Sequence, residues 1–196
     1  SFMVEARDNQ QPQSSSAKRF LLDVQSVQDR LAIVYFNNGQ GDFEIGNNLS
    51  HWFWTTDNQR AECIFGQDFD MDGLQDLGTS KSDRSSGIFL FINPDDALFT
   101  DIPQHSLNTV NKDFERVISA DFTGNGFPDI VASDLNSDRV YMYKHQGLWN
   151  QSIDFDPPVF YKTNKAPHWM HYGDINADGA PDVFTIGMRQ GEMSVL

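Results

Sequence analysis

Short apolar runs alternate with polar, oxygen-rich turns along most of the chain, and no run has the period of a long amphipathic helix. Three apolar runs lead into turns of one composition and predict strands at residues 62–67, 116–120 and 169–173. A second run, rich in β-branched or aromatic residues, leaves each turn at Leu77, Ile130 and Val183. The pattern predicts an all-β chain made of repeated antiparallel units.

Further strands complete each predicted unit. A third strand is expected after another polar turn, at residues 88–92, 140–143 and 193–196. A looser fourth segment, such as residues 159–161, leads to the next unit. Ahead of these units, residues 31–36 predict a strand and residues 37–42 a turn, with a return strand from Phe43. Four short strands in about 40–50 residues are typical of a β-propeller blade.

The turns that join the first and second strands are three copies of one nine-residue loop at a constant step of 53 residues. We call residues 68–76 loop 1, residues 121–129 loop 2 and residues 174–182 loop 3. Oxygen-bearing side chains recur at positions 1, 3, 5 and 9 of each loop, and glycine occupies position 6. Calcium takes six to eight oxygen ligands, and alternate residues of a tight loop can direct their oxygens to one centre. The loops therefore predict up to three calcium sites.

The predicted ligands follow from these positions. The side-chain ligands are Asp68, Asp70, Asp72, Asp76, Asp121, Thr123, Asn125, Asp129, Asp174, Asn176, Asp178 and Asp182. The residues at position 7, whose main-chain carbonyls are expected to complete each site, are Leu74, Phe127 and Ala180. Glycine at position 6 is expected to have a positive φ, which strains other residues; these glycines are Gly73, Gly126 and Gly179.

The end of the loop separates it from a helix-loop-helix calcium hand. That motif requires a bidentate glutamate at position 12, whereas position 12 here is Thr79, Ala132 or Thr185. The residues that follow are strand-like, so each loop is predicted to join two strands.

The three loops, each with an apolar strand before and after, resemble the FG-GAP/VCBS repeats of integrin α-subunit propellers and many bacterial surface proteins. The run Asn37 to Phe43 is similar to the inter-strand turn of such repeats, and the resemblance covers about residues 20–196. It implies a β-propeller in which loop positions 1, 3, 5 and 9 bind calcium. Two departures stand out: Thr123 and Asn125 replace acids in loop 2, and residues 12–20, where a fourth loop would fall, contain no acidic residue.

The domain prediction is a flexible lead-in or cloning remnant at residues 1–19, followed by a propeller at residues 20–196. Its units are expected at about residues 20–50, 51–105, 106–160 and 161–196. About three and a half to four blades result, whereas closed propellers use about four to eight. Three outcomes remain open: excision from a larger propeller, a ring completed by two copies, or closure by residues 3–6. We favour a fragment or half-ring that self-associates, because open sheet edges are a liability.

The charge balance narrows the range of partners. Lysine and arginine number 14 against 28 acidic residues, and the net charge of −14 argues against nucleic acid or an anionic membrane surface. No membrane-spanning run is present, so membrane insertion is not expected. Three calcium ions, each adding two positive charges, would reduce the net charge to −8. Cys63 is the only cysteine, which excludes an internal disulfide, and we expect it to be buried and inert.

Two aromatic clusters suggest a ligand site. Trp52, Trp54 and Trp169 have histidine neighbours and polar surroundings in which a ring could stack on a sugar. Core packing is the competing interpretation; we favour it for Trp169, and both interpretations stay open for Trp52 and Trp54. The five histidines show no metal-binding spacing, so buried or surface imidazoles are expected.

Catalytic motifs are missing from the sequence: there is no Gly-x-Ser-x-Gly elbow, no His-Glu-x-x-His and no phosphate loop. We therefore expect a non-enzymatic recognition or adhesion module, outside the cell or on its surface, that binds protein or glycan. The alternative is an accessory or catalytic segment of a polysaccharide-active enzyme, and a structural spacer is a third possibility. Calcium is expected to be structural, with affinity decreasing from loop 1 through loop 3 to loop 2 as the number of carboxylates falls.

Overall fold

The computed structural model describes residues 35–37, 42–45, 61–81, 87–93, 105–108, 112–150, 152–163, 165–188 and 192–196. These residues form 15 strands and no helix, and they belong to one compact unit, Leu31–Leu196. Accordingly, no described helix is long and apolar enough to cross a membrane. The predicted lead-in at residues 1–19 lies outside the described residues. The prediction of an all-β chain with antiparallel four-stranded sheets is confirmed.

A short hairpin and a four-stranded sheet come first in the chain. Strands β1 (Tyr35–Asn37) and β2 (Phe43–Ile45) pair antiparallel, as expected for the turn at residues 37–42. The first sheet has the order β3-β4-β5-β6. Its strands are β3 (Ala61–Gln67), β4 (Asp76–Lys81), β5 (Gly87–Phe91) and β6 (His105–Asn108). The predicted unit boundary between residues 105 and 106 falls inside β6, because the polar sequence of this strand gives a weak periodic signal.

The second sheet repeats this arrangement with an insertion. The next six strands are β7 (Phe114–Ala120), β8 (Asp129–Asp134), β9 (Arg139–Tyr143), β10 (His145–Trp149), β11 (Ser152–Phe155) and β12 (Val159–Lys162). The second sheet has the order β12-β9-β8-β7, so the predicted fourth segment at residues 159–161 is confirmed as its outer strand. Strands β10 and β11 pair with each other as a separate hairpin.

The third sheet has three strands in the order β13-β14-β15. They are β13 (Pro167–Gly173), β14 (Asp182–Gly187) and β15 (Met193–Val195). In all three sheets the first two strands are antiparallel neighbours joined by loop 1, loop 2 or loop 3. The prediction that strands and not helices leave these loops is therefore confirmed.

The two sides of each sheet have different partners. Strand register places Phe65 and its cross-strand neighbour Gly78 on one side of the first sheet, which we call the A side. The repeat-equivalents of Gly78 are Val131 in the second sheet and Phe184 in the third, so these residues mark the A side there. The opposite B side carries Ile64 in the first sheet and its repeat-equivalents Val117 and Met170 in the other two.

Sheets stack A side to B side. Ile88 and Leu90 of the first A side form one buried cluster with Val117 and Tyr141 of the second B side, and Phe65 packs against that cluster. A second cluster joins Val131 and Val140 of the second A side to Met170 and Val183 of the third B side. Face-to-face stacking of this kind buries apolar area that no sheet could bury alone.

The first strands of successive sheets also contact each other directly. The Cys63 Sγ lies 3.4 Å from both the main-chain nitrogen and the carbonyl oxygen of Val117. Gln67 donates through Nε2 to the Ser119 carbonyl at 3.2 Å, and Arg116 donates through Nη1 to the Glu62 carbonyl at 3.2 Å. Burial raises the pKa of the Cys63 thiol. The half-buried thiol is thus a packing group between β3 and β7, as expected for an inert cysteine.

Candidate metal centre

Loop 1 turns its carboxylates inward because its main-chain N–H groups bind them. Asp68 accepts hydrogen bonds at Oδ1 from the Asp72 N–H (3.1 Å) and at Oδ2 from the Gly73 N–H (2.9 Å). Asp70 accepts a bond from the Asp72 N–H at 3.3 Å, and Asp72 accepts one from the Leu74 N–H at 2.8 Å. The loop is therefore wrapped around its own acidic side chains.

Position 9 connects the loop to the rest of its sheet. The Asp76 carboxylate accepts the Phe69 N–H at Oδ2 (2.7 Å) and the Asn93 N–H at Oδ1 (2.8 Å). Asn93 lies two residues beyond the end of β5, so one buried side chain joins the start of the loop, β4 and the segment that follows β5. The sequence did not predict the bond between Asp76 and the Asn93 main chain, because a main-chain N–H group can belong to any residue type and leaves no sequence pattern.

Loops 2 and 3 repeat the same hydrogen bonds. Position 1 accepts from the N–H groups of positions 5 and 6 through Asp121 in loop 2 and through Asp174 in loop 3, at 2.8–3.1 Å. Position 9 accepts the position 2 N–H, at 3.0 Å for Asp129 and 2.8 Å for Asp182. Asp129 also accepts the His145 N–H at 2.8 Å, the counterpart of the bond to Asn93. The three loops thus share the hydrogen bonds that positions 1 and 9 accept.

Two positions of each loop have positive φ. Position 6 is glycine with φ of +93°, +86° and +91° in loops 1, 2 and 3, as the sequence predicted. Position 4 has φ of +61° at Met71, +71° at Gly124 and +61° at Ala177. This left-handed conformation is costly for Met71 and Ala177. Sequence reasoning missed position 4, because only loop 2 marks it with glycine.

Three carboxylates of loop 1 form a compact group that could hold a metal ion. Asp68, Asp70 and Asp76 each offer an oxygen, and these three oxygens lie within 4.8 Å of one another. Burial raises the pKa of Asp70, and the charges of Asp72 and Asp68 add to the increase. Burial also raises the pKa of Asp76 to about 6, against the opposing effect of its two main-chain N–H bonds. Crowded carboxylates with raised pKa values are the electrostatic condition that a cation would relieve.

Loop 2 differs because the β10–β11 hairpin lies against it. Asn125 keeps its amide oxygen in the loop, where it accepts the Phe127 N–H at 2.9 Å, and its Nδ2 donates to the His145 carbonyl at 2.7 Å. The Phe127 ring meets the buried His145 ring edge-on at 5.1 Å, and His145 stacks on Phe155 at 4.8 Å. An amide at position 5 thus serves both the loop and the hairpin, which an aspartate could not do.

A protein-family model matches the same region of the chain. The model described as FG-GAP-like repeat matches residues 68–132 and again residues 121–185. The matches start at position 1 of loops 1 and 2 and together span residues 68–185, more than half of the chain. The chain belongs to the FG-GAP-like repeat family. Among curated proteins, none matches the sequence.

The remaining predicted site residues of this FG-GAP-like repeat protein lie elsewhere. Trp169 is on the A side of the third sheet with 58% of its surface exposed, and the Arg116 guanidinium lies 4.6 Å from its ring centre. The prediction that Trp169 packs in a core is therefore wrong within this chain, because no described sheet covers that side. Trp52 and Trp54 lie outside the described residues.

The described histidines are packing or surface groups in this FG-GAP-like repeat protein. His145 is fully buried, His171 stacks on Phe184 at 5.6 Å, and His168 lies 3.2 Å from Glu115 across β7 and β13. None belongs to the carboxylate group of loop 1, so the acidic loops are the chemically distinctive feature of the described structure.

Proposed function

We propose that this protein is a calcium-stabilised recognition module outside the cell that binds protein or glycan without catalysis. The observation that supports it is the triple occurrence of one acidic loop geometry, with three carboxylate oxygens of loop 1 within 4.8 Å of one another. Calcium outside cells is abundant enough for sites that bind at about 0.1–1 mM, which favours an extracellular role.

The residues present fit calcium chemically. Their donors are carboxylate, amide, hydroxyl and carbonyl oxygens, which a hard cation prefers over nitrogen or sulfur. The carboxylate oxygens of Asp68 accept N–H bonds inside the loop, yet each ionised oxygen keeps a further lone pair for a cation. Asp68, Asp70, Asp72 and Asp76 would hold the ion in loop 1, together with the Leu74 carbonyl.

The proposed role of the ion is structural. A carboxylate at position 9 already joins the loop to the second and third strands, so an ion bound there would hold three strands of one sheet. An ion that binds only the folded state stabilises it by about 2.7 kcal/mol at a hundredfold excess over Kd. The proposed ligand surface is the set of exposed loops and sheet edges that this scaffold keeps in place.

Calorimetric calcium titration tests the metal proposal. We expect affinity to decrease from loop 1 with four acidic side chains, through loop 3 with three, to loop 2 with two. Asp68→Ala should therefore remove the tightest site, Asp174→Ala the next and Asp121→Ala the weakest. The reverse order, or no calcium binding by the unmodified chain, would contradict the proposal.

The recognition proposal needs a separate experiment. The chain is applied to arrays of glycans and of extracellular proteins in millimolar calcium, and again in chelator. We expect calcium-dependent binding that Asp68→Ala weakens. Arrays that stay blank, or hydrolysis of a polysaccharide by the isolated chain, would reject a non-catalytic recognition module in favour of a spacer or an enzyme segment.

A further inference from the structure

Cations and aromatic rings meet at the outer part of the second sheet, on its B side. Arg139 of β9 lies directly opposite Lys162 of β12, and Tyr141 lies opposite Phe160 in the same strand pair. Residues two apart in a strand share a side, so these four side chains lie on the B side together with Tyr141's neighbours in the core. Lys112 joins them from the segment before β7, with its Nζ 2.6 Å from the Tyr141 hydroxyl oxygen. We call these residues the basic edge.

The pairing of Arg139 with Lys162 is unfavourable for folding, because like charges directly opposite on antiparallel strands repel. Among the described residues, the ion pairs include neither of these two cations. Asp134 lies opposite Arg139 on β8, but it is 2% exposed and accepts bonds from the Asn136 N–H and the Ser137 hydroxyl. A lysine on an outer strand can protect the sheet edge, yet that role does not require an arginine opposite it. Two adjacent cations in a chain of net charge −14 therefore indicate a binding role.

Aromatic rings hold two of the cations in place. The Arg139 guanidinium lies 4.2 Å from the Phe160 ring centre, and the Lys112 Nζ lies 4.1 Å from the Tyr141 ring centre. A cation–π contact positions a cation without neutralising its charge. Burial would raise the pKa of the Tyr141 hydroxyl, yet hydrogen bonds from Lys112, Ser137 and Arg139 lower it. The surroundings of this hydroxyl are therefore electropositive.

The part of the basic edge that reaches solvent has the chemistry to bind an acidic sugar. Lys162 is exposed, and Phe160 next to it is 48% exposed. Adjacent cations bind carboxylate or sulfate through charge-assisted hydrogen bonds, while an aromatic ring offers an apolar surface to the C–H face of a sugar. Nucleic acid would require a much larger basic surface than this acidic chain provides.

We propose that the basic edge binds an anionic glycan, whose carboxylate or sulfate groups contact Arg139 and Lys162. The inference rests on the proposed recognition function and deepens it by naming the class of ligand. It does not involve the acidic loops, so binding is independent of calcium.

Calorimetric titration in chelator tests the ligand class. The probes are polygalacturonate, which carries carboxylates, dextran sulfate, which carries sulfates, and neutral dextran. Chelator removes the calcium that could bridge the acidic loops to an acidic polysaccharide. We expect at least one of the two anionic probes to bind, more weakly as salt is added, and neutral dextran not to bind.

Variants locate the binding. Arg139→Gln and Lys162→Gln should each weaken the binding of the anionic probe about tenfold, since each removes a charge-assisted hydrogen bond. Lys144→Gln is the matched control: it removes the same charge directly after β9, at the opposite end of that strand from Arg139, and should leave the affinity unchanged. Lys162→Gln should also leave Tm unchanged or higher, because it removes a repulsion, whereas a merely structural lysine would lower Tm on substitution.

Three results would overturn the proposal. One is that neither anionic polysaccharide binds. Another is that Lys144→Gln weakens binding as much as Lys162→Gln, which would indicate attraction without a defined site. The third is that polyglutamate binds as tightly and with the same response to the variants, which would assign the basic edge to acidic peptides. Each would leave the proposed recognition of a protein or a neutral glycan standing, so the two proposals can fail separately.

Discussion

Gly179 shows how the backbone of each loop depends on single residues. Its φ is +91°, and a side chain built on it would meet no atom within 4 Å. The cost of a substitution there is therefore conformational and not steric. The same holds for Gly73 and Gly126, so position 6 is fixed by backbone geometry in all three copies.

We predict that Gly179→Ala lowers the free energy of unfolding by about 1–2 kcal/mol, the cost of a left-handed conformation for an L-residue. Gly173→Ala is the control: its φ is not in the left-handed region, and the nearest atom to a new Cβ is the Phe184 ring at 3.9 Å. That control should change stability by less than about 0.5 kcal/mol. Urea unfolding in chelator measures both, and equal effects would contradict the geometric explanation.

Asn125 contributes to both loop 2 and the β10–β11 hairpin, through its amide oxygen and its amide nitrogen. We predict that Asn125→Asp destabilises the calcium-free protein by about 1 kcal/mol, since the Nδ2 bond to the His145 carbonyl is lost. The same change should raise the calcium affinity of loop 2, because it adds a carboxylate. Paired thermal unfolding and calcium titration measure the two effects.

Asn176→Asp supplies the comparison for that experiment. It adds the same charge to loop 3, where the described contact is through the amide oxygen, which aspartate keeps. We expect a gain in calcium affinity with little loss of calcium-free stability. A similar loss in both variants would show that added charge, and not the hairpin bond, causes the destabilisation.

At the scale of the elements, loop 1 should respond to pH through Asp76. Its pKa is raised from 3.8 to about 6 by burial. The folded-state pKa lies above the unfolded value, so folding favours the protonated form of Asp76. The contribution of Asp76 to the stability of the calcium-free protein should therefore be greatest below pH 4. It should fall as the pH rises through 6. Calcium needs the ionised form, so its affinity for loop 1 should fall about tenfold per pH unit below 6.

The measurement uses Asp174→Ala, which removes a predicted ligand of loop 3, so that most of the remaining calcium binding is expected at loop 1. Calcium titrations at pH 7, 6 and 5 should give progressively weaker binding. The predicted pH dependence is wrong if the affinity stays constant over this range. Asp68→Ala, which is expected to abolish calcium binding at loop 1, shows how much of the pH dependence of calcium affinity comes from the other two loops.

Some elements follow directly from local sequence and others do not. The strands beside each loop were predictable, because β-branched and aromatic runs flank an unmistakable turn that occurs three times. The β10–β11 hairpin was not, because its residues read as a continuation of the third strand and a loose link to residue 159. Its main specific contacts, to Asn125 and Phe127, are tertiary and leave no periodic signal.

The site was predicted in the same uneven way. The oxygen-bearing positions could be read from the sequence because the nine-residue pattern occurs three times, and the described loops share the hydrogen bonds of position 1. That these positions bind calcium stays a prediction. The exposure of Trp169 was not readable, since it depends on which sheet covers its side. Alternation in β13 separates the two sides of the strand but does not say which side has a partner.

At the scale of the whole molecule, each described sheet packs only against the sheet before it and the sheet after it. The stability of a sheet therefore depends mainly on its contacts with these neighbours. The second sheet is covered on both sides, and every residue of β8 is buried. The third sheet is covered on its B side alone among the described contacts. Stability in such stacked arrays is set by neighbours, and the end unit opens with the smallest free energy.

Local unfolding should therefore begin at the third sheet and then proceed to the second sheet. Amide hydrogens of β14 should exchange with deuterated solvent faster than those of β8, although both are central strands joined to an acidic loop. Protease cleavage should begin on the same side of the stack. When the third sheet opens, Val131 and Val140 on the A side of the second sheet lose their cover and become exposed. Each step of opening would therefore leave an apolar A side facing solvent.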